Sequence, residues 1–213
     1  RRWVSDFQEG VVEECARAGV SLVGGDLSSS PHIALGVTAL GNLSGRPGIT
    51  RAGARIGDQV AVCGRLGCSA GGLLVLQRGF GSPKDLVLEQ QCPTVPYGQG
   101  KAAAEAGATA MIDVSDGLLQ DLGHICELSG VGIDVRTAAL KIHDSLARLA
   151  AATGKDPLGF VLAGGEDHAL AATFPTQVEL PQGWLRIGTV TSGAEVIVDG
   201  MPWTGSVGWD HFA

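Results

Sequence analysis

The sequence predicts an α/β (α+β) fold in two domains, with a mixed sheet covered by helices. Three observations carry this. Short apolar runs alternate with segments whose apolar residues recur at helical spacing, the pattern of layered strands and helices. A stretch broken by Gly, Pro and Arg, residues 42–55 (NLSGRPGITRAGAR), separates two apolar neighbours and marks a domain junction. Finally, 213 residues at 45% hydrophobic content suffice to bury a sizeable core.

In chain order, Trp3, Phe7, Val11 and Cys15 recur every four residues and predict an amphipathic helix over 3–18, stopped by Gly19. Residues 20–23 and 33–40 are apolar enough for buried strands. Beyond the junction, 58–63 reads as a strand and 69–78 as a helix opened by small residues. Residues 80–96 carry Pro83, Pro93 and Pro96 and read as an irregular connection, followed by a helix near 98–106. Met111 and Ile112 finish a buried strand, Gly117 permits a sharp turn, and Leu118, Leu122 and Ile125 continue as a helix closed by Gly130. Residues 132–135 form a further strand, and 145–152 an Ala/Leu-rich helix ended by Gly154. An apolar run at 160–163 reads as a strand entering Gly164-Gly165-Glu166-Asp167, and 169–174 leaves it. Strands at 185–190 and 195–198 follow, the latter turning at Asp199-Gly200.

Composition narrows the function. Lys and Arg number 15 against 22 Asp and Glu, a net charge of −7, and no basic cluster runs along a helix, so nucleic-acid and anionic-membrane partners are disfavoured. No apolar run approaches the roughly 20 residues a bilayer span needs, and no signal peptide opens the chain. The five cysteines are odd in number and include no C-x-x-C pair, which argues against a disulfide framework or zinc ribbon and for a reducing cytoplasm. The chain opens on Arg1-Arg2-Trp3 without Met, the expectation for a chain whose front portion is absent. With 33 Gly and 5% aromatics, tight loops near a ligand are favoured over an aromatic binding face.

Three stretches share one design, an apolar run ending in small residues and carboxylate: VGGD at 23–26, IDVSDG at 112–117 and AGGED at 163–167. Asp113, Ser115 and Asp116 sit at a strand-to-helix junction, where ligands collect in layered sheets and free N–H groups attract anions. Two carboxylates there repel a bare phosphate unless a divalent cation lies between, and Mg²⁺ commonly shares one or two carboxylates with substrate phosphates. An equally simple reading is that Asp116 caps the helix and Asp113 ends the strand. Arg51 is either a solvated loop charge or a paired donor to phosphate oxygens. The five histidines form no zinc-hydrolase pattern, and His124 reads as structural. Ser115 lies outside a G-x-S-x-G elbow, and neither a Walker A loop nor the protein-kinase H-R-D set occurs.

VGGDLSSSP, ITRAGARIGDQVAVCG followed by GCSAGG, AMIDVSDGLLQDLGHI, AGGEDHAL and the terminal GWDHF stand in the order and spacing of the thiamine-monophosphate kinase family, in the aminoimidazole ribonucleotide synthetase-like superfamily. The resemblance spans nearly the whole chain. It implies that residues 1–45 are the remainder of an N-terminal ATP- and metal-binding domain, lacking roughly 100 residues, and that 46–213 form the C-terminal α/β domain.

The same resemblance implies transfer of the ATP γ-phosphoryl group to thiamine monophosphate, giving thiamine diphosphate, with several Mg²⁺ ions and a homodimer in the full-length protein. By matched position, Asp26, Asp113 and Asp116 are implied Mg²⁺ ligands, and Gly25, Asp26, Arg51 and Ser115 the ATP side. Glu166 and Trp209 are implied for the thiamine side, Trp209 departing from the family's Tyr. No general base is assigned, since transfer between phosphates needs positioning and charge neutralisation above all. The alternatives are another ATP-using member of the superfamily, of the selenophosphate synthetase or hydrogenase maturation type, or a nucleotide-binding fragment that does not turn over.

Overall fold

The structure, a computed structural model, describes residues 2–209; Asp210, His211 and Phe212 of the expected terminal motif lie outside the described residues. The chain divides into two compact units, one ending at Gly48 and the other starting at Ile49.

In the first unit, helix α1 (Arg2–Ala18) follows the four-residue apolar spacing, and its Trp3 and Phe7 rings stack at 5.5 Å. Gly19 ends it at φ 68°, and the Val20 N–H returns to the Cys15 carbonyl. The strands expected at 20–23 and 33–40 do not form. A strand is held by a hydrogen-bonded neighbour, and among the described residues none pairs with either run. Their side chains are exposed, Val23 and Leu40 each by 90%.

The second unit is built on one sheet. Its elements are β1 (Gln59–Cys63), α2 (Cys68–Gln77), α3 (Lys84–Gln91), α4 (Gln99–Glu105), β2 (Ala110–Val114), α5 (Leu118–Ser129), β3 (Gly132–Val135), α6 (Asp144–Thr153), α7 (Pro157–Ala163), β4 (Ala169–Phe174), β5 (Trp184–Thr191), β6 (Val196–Val198) and β7 (Met201–Pro202). The strand order is β2-β4-β1-β5-β3-β6-β7, with β3 and β6 parallel and the other pairs antiparallel.

Both faces are covered, which explains the unbroken burial of β1. Val60, Val62, Ala169, Ala171, Ile112 and Val114 join Leu118, Leu122, Ile125, Leu146 and Leu162 of the helices in the larger core. The alternate residues Ala61, Cys63, Ala172 and Phe174 pack with Ala103 of α4 and with Trp184, whose ring meets Phe174 edge-on at 5.4 Å.

Two expectations are corrected here. Residues 84–91 are helical, because Pro83 stands just before the first turn, where a missing N–H costs nothing, and Leu86 is wholly buried. The run at 160–163 belongs to α7 and not to a strand. Asp156 caps it by accepting the Leu158 N–H at 3.0 Å, and Pro157 occupies the first turn. Among the three motifs, therefore, IDVSDG alone is a strand end.

Candidate active site

β2 is an edge strand, and its alternation buries Ala110, Ile112 and Val114 while leaving Asp113 exposed. The chain then turns through Ser115 and Asp116 to Gly117, at φ 144° and ψ 144°, which starts α5. Only glycine suits that conformation, and a Cβ there would stand 2.9 Å from the Ala163 carbonyl oxygen.

The backbone of this loop is fully engaged. The N–H groups of Ser115, Asp116 and Gly117 all donate to Asp121 Oδ2, at 2.9, 3.1 and 3.1 Å. The carbonyls of Val114, Ser115 and Asp116 accept from the N–H groups of His168 (3.1 Å), Glu166 (2.7 Å) and Trp209 (2.9 Å). The expectation that N–H groups here await an anion is therefore overturned, because Asp121 already occupies them. Asp116 is not the helix cap either; Gly117 holds that position with no side-chain cap bond. The remaining polar groups of the loop are side-chain oxygens, on exposed Asp113 and on half-buried Ser115 and Asp116.

Two further segments dock on it. In the Gly164–Asp167 motif, Gly165 passes so close that a Cβ would lie 2.5 Å from the Ser115 carbonyl oxygen. Glu166 (φ 62°) and His168 (φ 52°) both adopt left-handed conformations that cost a non-glycine residue about 1–3 kcal/mol and persist where surroundings impose them. The imposing group is Asp167 between them, 5% exposed, whose carboxylate accepts the Gly67 N–H and, at 2.9 Å, the Ser69 N–H at the start of α2. Burial pushes this carboxyl up to about 7, against the opposite pull of those N–H donors. Glu166 is exposed, with its Oε2 3.5 Å from His168 Nε2. The tail is tied by Gln120, whose N–H donates to the Val207 carbonyl (3.1 Å) and whose amide donates to the Trp209 carbonyl (2.8 Å); the Trp209 residue is 65% exposed.

Arg51 arrives along the free edge of β2. The Met111 N–H donates to the Thr50 carbonyl at 3.0 Å. Ser129, the last residue of α5, donates to the Arg51 carbonyl (3.0 Å) and accepts the Gly53 and Ala54 N–H groups. Arg51 and Asp113 thereby line one groove of about 570 Å³, whose walls include Ile49, Met111, Leu128 and Leu170.

Arg51, Asp113, Ser115, Asp116, Glu166 and Trp209 thus all belong to connected segments of the second unit. Gly25 and Asp26 lie in the first unit, on an exposed segment where the Ser28 hydroxyl donates to Asp26 at 3.3 Å. Among the described residues no group of three or more His, Cys, Asp or Glu is gathered to cage a metal. The hard carboxylates of Asp113 and Asp116 fit a cation of the Mg²⁺ type that completes its shell with water and phosphate oxygens. Sequence reasoning missed Asp121, Gln120 and Ser129 and took Asp167 only as the end of the AGGED stretch; all four shape the site from behind. The one local signal was an Asp in the first turn of α5, a position that favours carboxylate.

Among the described residues no helix is long and apolar enough to cross a membrane. Residues 55–200 match the family described as AIR synthase related protein, C-terminal domain. The thiamine-monophosphate kinase of Mycobacterium tuberculosis is 50% identical over 98% of this chain, which spans 62% of that relative's length. That of Aquifex aeolicus is 35% identical over 99% of this chain and 69% of its own length. A solved structure described as AaThiL complexed with AMPPCP and TMP superposes with a TM-score of 0.68 at 33% identity, covering 77% of this chain and 54% of that one. With this identity and coverage, the chain belongs to the thiamine-monophosphate kinase family and carries its AIR synthase related C-terminal domain.

Proposed function

We propose that the protein to which this chain belongs transfers the ATP γ-phosphoryl group to thiamine monophosphate, yielding thiamine diphosphate and ADP with Mg²⁺ assistance. The observation that carries the reading is the pairing of Arg51 and Asp113 across one groove beside the Ser115–Asp116 loop. A guanidinium presents two parallel donors to a phosphate, and carboxylates nearby suit the cation that accompanies it.

In this reading Arg51 and the Ser115 hydroxyl hold phosphate oxygens of the nucleotide, while Asp113 and Asp116 hold Mg²⁺. Bound there, Mg²⁺ supplies neutralisation of charge on the phosphates. Trp209, exposed at the tail, stacks on the aromatic part of thiamine monophosphate, and Glu166 contacts the same substrate. No side chain is asked to abstract a proton, because an attacking phosphate oxygen is already anionic and the work is alignment. The 50% identical relative and a structure described as complexed with AMPPCP and TMP support the choice of substrates.

The reading also assigns residues 1–45 to an N-terminal ATP- and metal-binding domain, with Gly25 at ATP and Asp26 at ATP and metal, and makes the whole protein a cytoplasmic homodimer. The exposed run of Val23, Leu27, Ile33, Val37 and Leu40 supports a covered surface there, since large apolar patches mark interaction sites.

The test is calorimetric titration of the chain with a non-hydrolysable ATP analogue and with thiamine monophosphate, with and without Mg²⁺, repeated on Asp116→Ala. Nucleotide binding that requires Mg²⁺ and disappears in the variant is expected. Binding indifferent to both Mg²⁺ and Asp116 would refute the metal–phosphate assignment.

A further inference from the structure

Three successive N–H groups at a helix start form a concavity that ordinarily receives an anion. In this protein the occupant is internal: Asp121, 2% exposed, presents a single oxygen to the Ser115, Asp116 and Gly117 N–H groups. Its own N–H donates to the Gly117 carbonyl at 2.9 Å, so the side chain returns onto the turn from which its helix springs.

We propose that Asp121 is a positioning residue for phosphoryl transfer, fixing the loop that carries Ser115 and Asp116 and reversing its polarity. The inference rests on the metal–phosphate reading above. With the N–H groups taken by Asp121, the polar groups the loop has left are the side-chain oxygens of half-buried Ser115 and Asp116, which favours a cation–phosphate group over a bare anion. An ordinary phosphate-binding loop of the same strand–turn–helix form does the opposite. The carboxylate also removes the loop's alternatives. Had the three N–H groups faced solvent, the Ser115–Gly117 backbone could pivot about Gly117, whose φ of 144° has no side-chain restraint. Anchored on one atom, they carry Asp116 in a fixed relation to Asp113 on the rigid end of β2. Asp121 is no substrate ligand in this account; it acts through the loop, as partners behind metal ligands generally do.

The experiment compares wild type, Asp121→Asn and Asp121→Ala, each alone and combined with Asp116→Ala. Asn retains a carbonyl oxygen for the three N–H groups and keeps the shape; Ala leaves them without an acceptor. Amide hydrogen exchange of residues 115–117 is read without ligand, and Mg²⁺-dependent affinity for a non-hydrolysable ATP analogue by calorimetry. Asp121→Ala should speed exchange at those three amides while β4 stays protected. It should weaken Mg²⁺-dependent affinity by about 10–100-fold, with Asn restoring most of both. In the Asp116→Ala background, where nucleotide binding is expected to disappear, the faster exchange at 115–117 caused by Asp121→Ala should persist, since Asp121 and not Asp116 anchors those amides. Unchanged exchange at 115–117, or Mg²⁺-dependent affinity in Asp121→Ala equal to that of wild type, would overturn the proposal. Absence of Mg²⁺-dependent binding in wild type would instead sink the functional reading, and exchange alone would then decide whether Asp121 fixes the loop.

Discussion

Gly165→Ala is the most direct probe of how the site is assembled. Gly165 lies outside the left-handed region, so alanine can adopt its backbone conformation and the effect is purely steric. An added Cβ would stand 2.5 Å from the Ser115 carbonyl oxygen and 3.1 Å from that of Asp116, both backbone atoms that cannot swing aside. Relief requires the 164–168 segment to withdraw from the loop, which breaks the Glu166 and His168 N–H bonds to the Ser115 and Val114 carbonyls. Two such bonds contribute about 1 kcal/mol each, and overpacking adds about 1–3 kcal/mol, so the loss is about 3–5 kcal/mol. For a protein of this size that corresponds to a fall in Tm of roughly 6–20 °C, read by calorimetry or circular dichroism. Gly123→Ala is the matched control, a helical glycine of α5 with nothing within 4 Å of an added Cβ. It should be neutral or stabilising by up to about 1 kcal/mol. If Gly165→Ala melts within a degree or two of wild type, the two segments are not in the contact described, and the joint placement of Glu166 and Ser115 falls with it.

The remaining predictions address charge, core and substrate. Asp167 has an unfolded-state pKa near 3.8 and a folded value of about 7, so between those values the folded protein binds more protons than the unfolded chain. Its contribution is complete below about pH 4 and is lost as pH rises through 7, with an upper limit of roughly 4 kcal/mol. Wild type should accordingly lose stability relative to Asp167→Asn between pH 5 and pH 8 in denaturant titrations, and a constant difference would refute this. Leu122→Ala, at a wholly buried position facing the larger core, should cost about 2–5 kcal/mol and lower the denaturant midpoint without changing the slope. Trp209→Ala, at a mostly exposed residue, should leave stability within about 0.5 kcal/mol yet weaken thiamine monophosphate binding, with Trp209→Tyr retaining it; unaltered affinity in the alanine variant would remove Trp209 from the site.

What the sequence disclosed follows from what is local. The passage from β2 through Gly117 into α5 was legible because period-2 burial, a glycine and 3.6-residue spacing follow one another within twenty residues. The run at 160–163 was misread because four apolar residues suit a strand or a buried helix equally, and the deciding cap, Asp156-Pro157, lies just upstream. The runs at 20–23 and 33–40 have strand composition, but pairing depends on a neighbour that composition does not supply. Arg51 and Asp113 line one groove across 62 positions only because residues 49–52 run along the free edge of β2. Asp121, and the structural role of Asp167 at the end of AGGED, stay hidden for another reason. Their partners are backbone N–H groups, which every residue but proline possesses, so no pattern of side chains points to them.

Those two aspartates carry the same physical logic. Each is nearly inaccessible and each is shifted upward chiefly by burial, an unfavourable placement that recurs at both loops of the candidate site. Burying a carboxylate is tolerable only where several donors meet it, and here the donors are the N–H groups whose directions define the loops. The loops are therefore built before any ligand arrives. In the proposed reading, charge that meets the ligand sits on exposed Asp113 and Glu166, while the carboxyl groups that set the geometry are sealed beneath them. A site arranged in this way spends little binding free energy on ordering its own backbone. Protection of the 115–117 amides should consequently be present in the free protein and rise by less than about tenfold when the ATP analogue and Mg²⁺ are added, whereas a loop ordered by its ligand would gain several orders of magnitude.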